Sequence, residues 1–278
     1  MQDKKQDQWN PSFFKQTPLF WPITPTLTEN IISSPSWPTL DQCNQLLSNN
    51  IPNKNQKIIT FVEQASTCHS FEEEYEPRIF LSGEVQTRLH NWHDFLQVLV
   101  WKTFPKTKAL LNEIHYSAAI ERYEKNDKQR SKKENFVTLF DECGSIIVSA
   151  DKNILELVEN FEWNKLFVEN KVLFDNAIDC ITFGHAMYEK ALSPYIGMTS
   201  HCLLLQVDTS YFELTPDKKT SYIDEAITNH IKKISGLNTR SLTPLPILGV
   251  PDWHNNQTDE FYKNTSYFRP GRKNKNMK

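Results

Sequence analysis

Glycine and paired cysteine are both scarce in this sequence. Its 7 glycines against 15 prolines argue against glycine-rich phosphate loops and against β-sandwiches built on tight glycine turns. Its 5 cysteines are odd in number and scattered, without a C-x-x-C pair. This spacing predicts neither a disulfide framework nor a zinc ribbon, and it favours a reducing compartment.

Long apolar runs and an excess of positive charge are also missing. No run approaches the ~20 apolar residues of a membrane span, and the opening MQDKKQDQWNPSFF lacks the apolar core of a signal peptide. The net charge of −3 predicts no general attraction to nucleic acid or to an anionic membrane. We therefore expect a cytoplasmic protein whose partner is neither a membrane nor a nucleic acid.

The best-known catalytic signatures are absent as well. The sequence holds no G-x-S-x-G, no G-x-x-x-x-G-K-[ST], no G-x-G-x-x-G and no H-E-x-x-H. Any chemistry must therefore be inferred from residues that the fold brings together.

What the sequence does contain is enough apolar and aromatic material for a globular core, at 38% and 12% of its 278 residues. Residues 1–57 are rich in proline and carry large aromatic side chains such as Phe13, Phe20, Trp21 and Trp37. We interpret them as an extended arm that wraps the body, although a disordered peptide-binding tail has a similar composition. Residues 58–268 then form one α+β domain, and 269–278 form a basic flexible tail.

The stretch from Glu84 to Phe104 is predicted to be a buried helix, because its apolar side chains cover nearly the whole circumference. One narrow polar strip remains, which carries His90, His93, Asp94 and Gln97 in place of lysine and glutamate. Such a strip suggests a polar site in the interior.

The other predicted elements give the fold class. A second helix over 106–125 forms a helical hairpin with the first, and FVTLFDECGSIIVSA over 136–150 is interpreted as a β-hairpin with its turn at Asp141–Gly144. Further strands are expected at 179–183 and 201–207, and short helices after Asp151 and from His185 to Leu192. We expect an α+β fold in which the helical hairpin packs against a small mixed or antiparallel sheet.

Imidazoles and carboxylates in this pattern suit a divalent metal such as Zn, Mn, Fe or Ni. We expect His90, His93 and Asp94 as ligands from one helix face, with His185 as a distant fourth. Asp141 or Glu142 would handle protons. A metal-bound water could then hydrolyse a small phosphate- or amide-containing substrate.

Two alternatives stay open at this point. The same residues could form a metal-free catalytic or ligand pocket for a small molecule. They could also form an internal His/Asp hydrogen-bond network in a non-enzymatic binding or scaffold protein, with the aromatic arm and basic tail as its partner surface. The oligomeric state is left open.

Several blocks of the sequence resemble an uncharacterised bacterial family, the domain-of-unknown-function 3025 group. They are YEPRIFLSGEVQTRLHNWHDFLQVLVWKTFPKTKALLN, VTLFDECGSIIVSAD, FGHAMYEK, LPILGVPDW and FYKNTSYFRPGR. The resemblance covers most of the chain from about Tyr75 onward and implies a bacterial, single-domain, cytoplasmic protein. It carries over no activity, cofactor or catalytic residue.

Overall fold

The computed structural model describes residues 8–48, 50–68 and 70–271. Most of the predicted basic tail, 269–278, lies outside the described residues. Helices predominate in the described ranges, and two small sheets accompany them, which confirms the α+β class. No helix in these ranges is both long enough and apolar enough to cross a membrane.

Two of the described α-helices lie in the arm, and the others lie in the body. They are α1 (Glu29–Ile32), α2 (Leu40–Leu46), α3 (Tyr75–Ser82), α4 (Trp92–Thr103), α5 (Pro105–Glu124), α6 (Lys132–Cys143), α7 (Lys152–Glu159), α8 (His185–Ala191), α9 (Pro216–Lys233) and α10 (Asp259–Tyr262). Single turns of 3₁₀ helix occur in the arm at Phe13–Lys15, Pro18–Phe20 and Thr24–Thr26.

The strands form one pair and one four-stranded mixed sheet. They are β1 (Thr60–Glu63), β2 (Glu84–Thr87), β3 (Gly144–Ser149), β4 (Ile178–Thr182), β5 (Thr199–Gln206) and β6 (Thr243–Pro246). β1 and β2 pair in parallel. The larger sheet has the order β4-β3-β5-β6, in which β3 and β5 are parallel and the two outer pairs are antiparallel.

The predicted helix from Glu84 to Phe104 is wrong in its first third. Glu84–Thr87 is β2, in which Val85 and Thr87 are buried and their neighbours are not, as strand alternation requires. The helix starts only at Trp92, after Asn91 accepts a hydrogen bond from the backbone N–H of Asp94 at 3.1 Å. From there nearly every residue is buried, so the interior position expected for this helix is correct.

The predicted β-hairpin over 136–150 is also wrong in its first half. Lys132–Cys143 is helical, begun by a capping box between Ser131 and Glu134, and only Gly144–Ser149 is a strand. Gly144 has φ −71°, so no left-handed turn is made there. Asp141 and Glu142 consequently lie in the last turn of a helix, not in a hairpin turn.

The arm packs its aromatic residues into the same hydrophobic core as the domain. Phe13 and Phe20 are fully buried. Phe20 stacks on Tyr188 of α8 with ring centroids 5.8 Å apart, and Trp21 Nε1 donates to the Cys180 carbonyl of β4 at 3.0 Å. The arm therefore supports the element that carries His185.

The helical hairpin of α4 and α5 turns at Phe104. Pro105 occupies the first position of α5, where its missing N–H is not needed. The buried carboxylate of Asp224 on α9 accepts from the backbone N–H groups of Lys106 and Thr107 at 2.9 and 2.8 Å. This contact fixes the start of α5, whose polar residues line the cavity described below.

Candidate metal centre

Three helix ends meet beside the helical hairpin and bring two imidazoles and one carboxylate together. His93 lies in the first turn of α4, Glu142 in the last turn of α6, and His185 is the first residue of α8. Their ligating atoms all lie within 4.8 Å of one another. We call His93, Glu142 and His185 the metal triad.

The distances within the metal triad match a divalent cation. Nε2 of His93 and Nε2 of His185 are 3.0 Å apart, and Oε2 of Glu142 is 3.9 Å from the former and 3.5 Å from the latter. A triangle with sides of 3.0, 3.5 and 3.9 Å has a circumradius of about 2.0 Å, so one point lies at that distance from all three atoms. Zinc–nitrogen and zinc–oxygen bonds are ~2.0–2.2 Å long.

A carboxylate stands behind each imidazole. Glu189 Oε2 is 2.8 Å from His93 Nδ1, and Asp141 Oδ2 is 3.7 Å from His185 Nδ1. A metal-bound histidine commonly directs its second nitrogen at a carboxylate, which fixes the tautomer and the ring orientation. Nε2 of His93 and Nε2 of His185 face each other and are thus the nitrogens left for a metal.

Asp141 is itself held by a buried ammonium group. Lys108 Nζ donates to its two oxygens at 2.6 and 2.8 Å, and the Lys108 side chain is only 5% exposed. Burial opposes the ionisation of Asp141, but Lys108 and His185 outweigh it and lower its pKa below the ordinary value. Asp141 is therefore an anion at neutral pH.

The pKa values of the metal triad are shifted in different directions. Burial lowers the pKa of His185 to about 3, so this imidazole is neutral near pH 7, which is the form that binds metals. The hydrogen bond to Glu189 raises the pKa of His93 and, reciprocally, lowers that of Glu189. Burial raises the pKa of Glu142. The Nδ1 atom of His185 is buried without a hydrogen-bond partner among the described residues.

Two of the residues expected to be ligands lie elsewhere. His90 precedes α4, has φ 56°, is exposed, and has its ring against Trp37. Asp94 accepts from the backbone and guanidinium of Arg88 at 2.6 to 3.0 Å. The structure brings together His93 and His185, which are both predicted ligands, but the carboxylate that joins them is Glu142, which is predicted to handle protons.

Sequence reasoning missed the roles of Lys108 and Glu189. The i,i+4 spacing of His185 and Glu189 was visible, but Glu189 contacts His93 of another helix and not His185. Lys108 carried no signal, since a lysine on a helix is ordinarily solvent-exposed.

A cavity of about 340 Å³ opens beside the metal triad, between α3, α4, α5 and α6. Besides the triad, its lining includes Tyr75, Gln97, Trp101, Lys108, Asn112, His115 and Asp141. Glu142 is 38% exposed and His93 is 26% exposed in their side chains, so the metal triad is open to solvent on one side. The arrangement can hold a cation and still admit water and a small molecule.

The sequence matches the model of a family described as "Protein of unknown function (DUF3025)" over residues 59–272. The chain belongs to this family. The DUF3025 match includes the whole metal triad together with Glu189 and Lys108, whereas the arm before β1 lies outside it. No curated protein and no solved structure gave a significant match.

Proposed function

We propose that this DUF3025 protein is a metal-dependent hydrolase that acts on a small phosphate- or amide-containing substrate. His93, His185 and Glu142 would hold one divalent cation. The observation that carries the proposal is the point about 2.0 Å from Nε2 of both histidines and Oε2 of Glu142. Three protein ligands of the type His, His, Glu leave a coordination position for water, as catalytic zinc sites require.

The residues around the cation would have separate tasks. A cation held there would supply a bound water of lowered pKa and a positive charge beside the bond to be cleaved. Glu189 and Asp141 orient the imidazoles of His93 and His185. Glu142 would hold the cation through Oε2, and its second oxygen, Oε1, would be the group that accepts a proton. Asp141, engaged by Lys108, is the less available base.

Elemental analysis of the purified full chain tests the metal site. We expect stoichiometric zinc, manganese, iron or nickel in the wild type, loss of the metal in His93→Ala, and wild-type content in His90→Ala. His90 is a matched control, because it is a nearby histidine that lies outside the metal triad. Absence of metal from all three proteins after incubation with each cation would refute the proposal.

Activity is tested separately on the metal-loaded chain. We expect hydrolysis of p-nitrophenyl phosphate or of p-nitroacetanilide that disappears on chelation and in His93→Ala. Metal binding without turnover of either compound would leave a metal site and remove support for the hydrolase.

A second candidate is a non-enzymatic binding or scaffold protein with an internal hydrogen-bond network. It is favoured by the direct contacts of His93 with His185 at 3.0 Å and with Glu189 at 2.8 Å, which need no cation. In that case a proton shared between Nε2 of His93 and Nε2 of His185 would occupy the place of the metal. The same elemental analysis would then find no metal.

The cellular setting is part of the proposal. The cysteines Cys43, Cys68, Cys143, Cys180 and Cys202 are all unpaired, which suits the reducing environment of a cytoplasm. The proposed bacterial source rests on the family resemblance.

A further inference from the structure

The cavity beside the metal triad has few free charges in its wall. Arg88 is paired with Asp94, and Lys108 is paired with Asp141. The remaining lining cation, Arg130, is exposed in the loop before α6. Tightly held phosphate needs unpaired cations or several free backbone N–H groups, so the part of this interior away from the metal triad is poorly suited to phosphate.

Two buried carboxamides offer uncharged hydrogen-bonding groups instead. Gln97 on α4 is 5% exposed, and its Oε1 accepts from the Tyr75 hydroxyl at 2.7 Å. Gln97 lines the cavity, and its Nε2 makes no hydrogen bond within the described residues. The wall therefore provides a free N–H donor.

Asn112 on α5 provides the opposite group. It is 3% exposed, and its Nδ2 donates to the backbone oxygen and the carboxylate of Glu76 at 3.0 and 2.8 Å. Two acceptors on that side fix the orientation of the amide. Its Oδ1 is consequently an acceptor, and it is buried without a donor in the part of the chain that the structure describes.

An acceptor left unpaired in a buried wall, as Oδ1 of Asn112 is, is unfavourable unless a ligand pairs with it. An amide, with its C=O and its N–H, can supply an acceptor to Gln97 and a donor to Asn112 at once. Ile79, Leu111, Val137 and Trp101 add apolar surface for the rest of such a molecule.

We infer that the cavity beside the metal triad binds a small uncharged amide-type group, such as a carboxamide, a ureide or a lactam, through Gln97 and Asn112. The hydrolysed substrate is then an amide and not a phosphate ester; this last step rests on the proposed function, whereas the binding does not.

Binding of benzamide and of phenyl phosphate to the full chain tests the inference. The two compounds share an aryl group and differ in the polar head. Isothermal titration on chelator-treated protein prevents direct coordination of the phosphate by a metal. We expect benzamide to bind at least tenfold more tightly than phenyl phosphate.

Two variants of Gln97 identify the contact. Gln97→Glu keeps an oxygen for Tyr75 and replaces the free donor by an acceptor, and Gln97→Met removes the donor without adding charge. Each is expected to weaken benzamide binding at least tenfold, whereas Gln16→Glu, an exposed residue of the arm, should leave it unchanged. Thermal melting verifies that each variant is folded.

The inference is overturned if phenyl phosphate binds as tightly as benzamide, if wild-type protein does not bind benzamide, or if both Gln97 variants bind it normally. Elemental analysis of untreated protein from the same preparations separates this result from the proposed function. If the untreated protein contains no metal but binds benzamide through Gln97, the proposed hydrolase is refuted and the amide pocket is retained. If it contains metal but does not bind benzamide, the amide pocket is refuted and the metal site is retained.

Discussion

The two imidazoles of the metal triad are held by different means. His93 is half-buried and is oriented by its hydrogen bond to Glu189 at 2.8 Å. His185 is 2% exposed, and the Asp141 carboxylate is still 3.7 Å from its Nδ1. Packing holds the ring of His185, whereas His93 depends on one carboxylate.

Glu189→Gln should lower the metal affinity by about 10- to 100-fold, because the amide makes a weaker contact with His93 and does not fix its tautomer. Competition with a chelating dye measures the affinity. Glu121→Gln, an exposed change on α5, is the control. Equal affinities in wild type and Glu189→Gln would show that the contact does not orient a ligand.

Asp141→Asn should destabilise the metal-free protein by about 2–4 kcal/mol, because it leaves the ammonium of Lys108 buried and unpaired. Urea unfolding measures the change. The double variant Lys108→Met/Asp141→Asn should recover part of the stability, since no buried charge remains. A double variant that loses as much stability as Lys108→Met and Asp141→Asn lose together would contradict this reasoning.

For single residues, the sequence predicts which residue types form the site better than it predicts which individual residues do. Histidines in an apolar helix indicated an interior site, and one of them, His93, does meet His185 of α8. His90 could not be excluded from spacing alone, because the helix was assumed to include it. Glu142 could be placed near His93 only by the packing of α8 against both α4 and α6, which the local sequence does not encode.

Among the elements, α6 matters most for the site, because it carries both Glu142 and Asp141. Its first turn is fixed by Glu134, a fully buried residue that accepts from Ser131 N at 2.7 Å and from Arg122 Nε at 3.0 Å. Burial opposes the ionisation of Glu134, but these hydrogen bonds outweigh it and lower its pKa below the ordinary 4.5.

Glu134→Gln should cost about 1–2 kcal/mol of stability at neutral pH, because the amide keeps the bond to Ser131 but loses the charge that faces Arg122. The pKa of Glu134 is lower in the folded than in the unfolded state. Its contribution is therefore complete above pH 4.5 and is lost as the pH falls through the folded-state pKa. Unfolding by urea at several pH values should show wild type and variant converging in acid.

Glu124→Gln, at the exposed end of α5, controls for the loss of one negative charge. A difference between wild type and Glu134→Gln that stays constant down to pH values well below 4.5 would mean that the charge of Glu134 is not involved.

The error over α6 has an identifiable cause. Phe136, Val137 and Phe140 are buried with helical spacing, but the β-branched and aromatic residues around them favour a strand. The capping signal Ser131-x-x-Glu134 indicates the start of a helix instead. β3, β4, β5 and α8 were predicted nearly at their observed bounds, because each is bordered by glycine, proline or a polar turn. The sheet order was not predictable, since it depends on contacts between distant strands.

In the whole molecule, the arm and the site are physically connected. The arm lies outside the family match, yet Phe20 is fully buried against Tyr188, one turn from His185. The Tyr188 hydroxyl in turn donates to the Thr182 carbonyl at the end of β4. α8 is thus held between the arm and the sheet, so the arm contributes to the position of a metal ligand that it does not touch.

Phe20→Ala should lower the free energy of unfolding by about 3–5 kcal/mol, as expected for a large buried side chain. It should also weaken metal binding, because a cavity beside Tyr188 lets α8 shift relative to α4 and so lengthens the distance between Nε2 of His185 and Nε2 of His93. Phe14→Ala is the control, since Phe14 belongs to the same arm but is only half-buried and meets Phe13 edge to face, whereas Phe20 stacks on Tyr188 of α8. Urea unfolding and dye competition, measured on the same folded samples, separate the two effects. A variant that loses stability but binds the metal as tightly as wild type would show that the arm stabilises the fold without positioning the site.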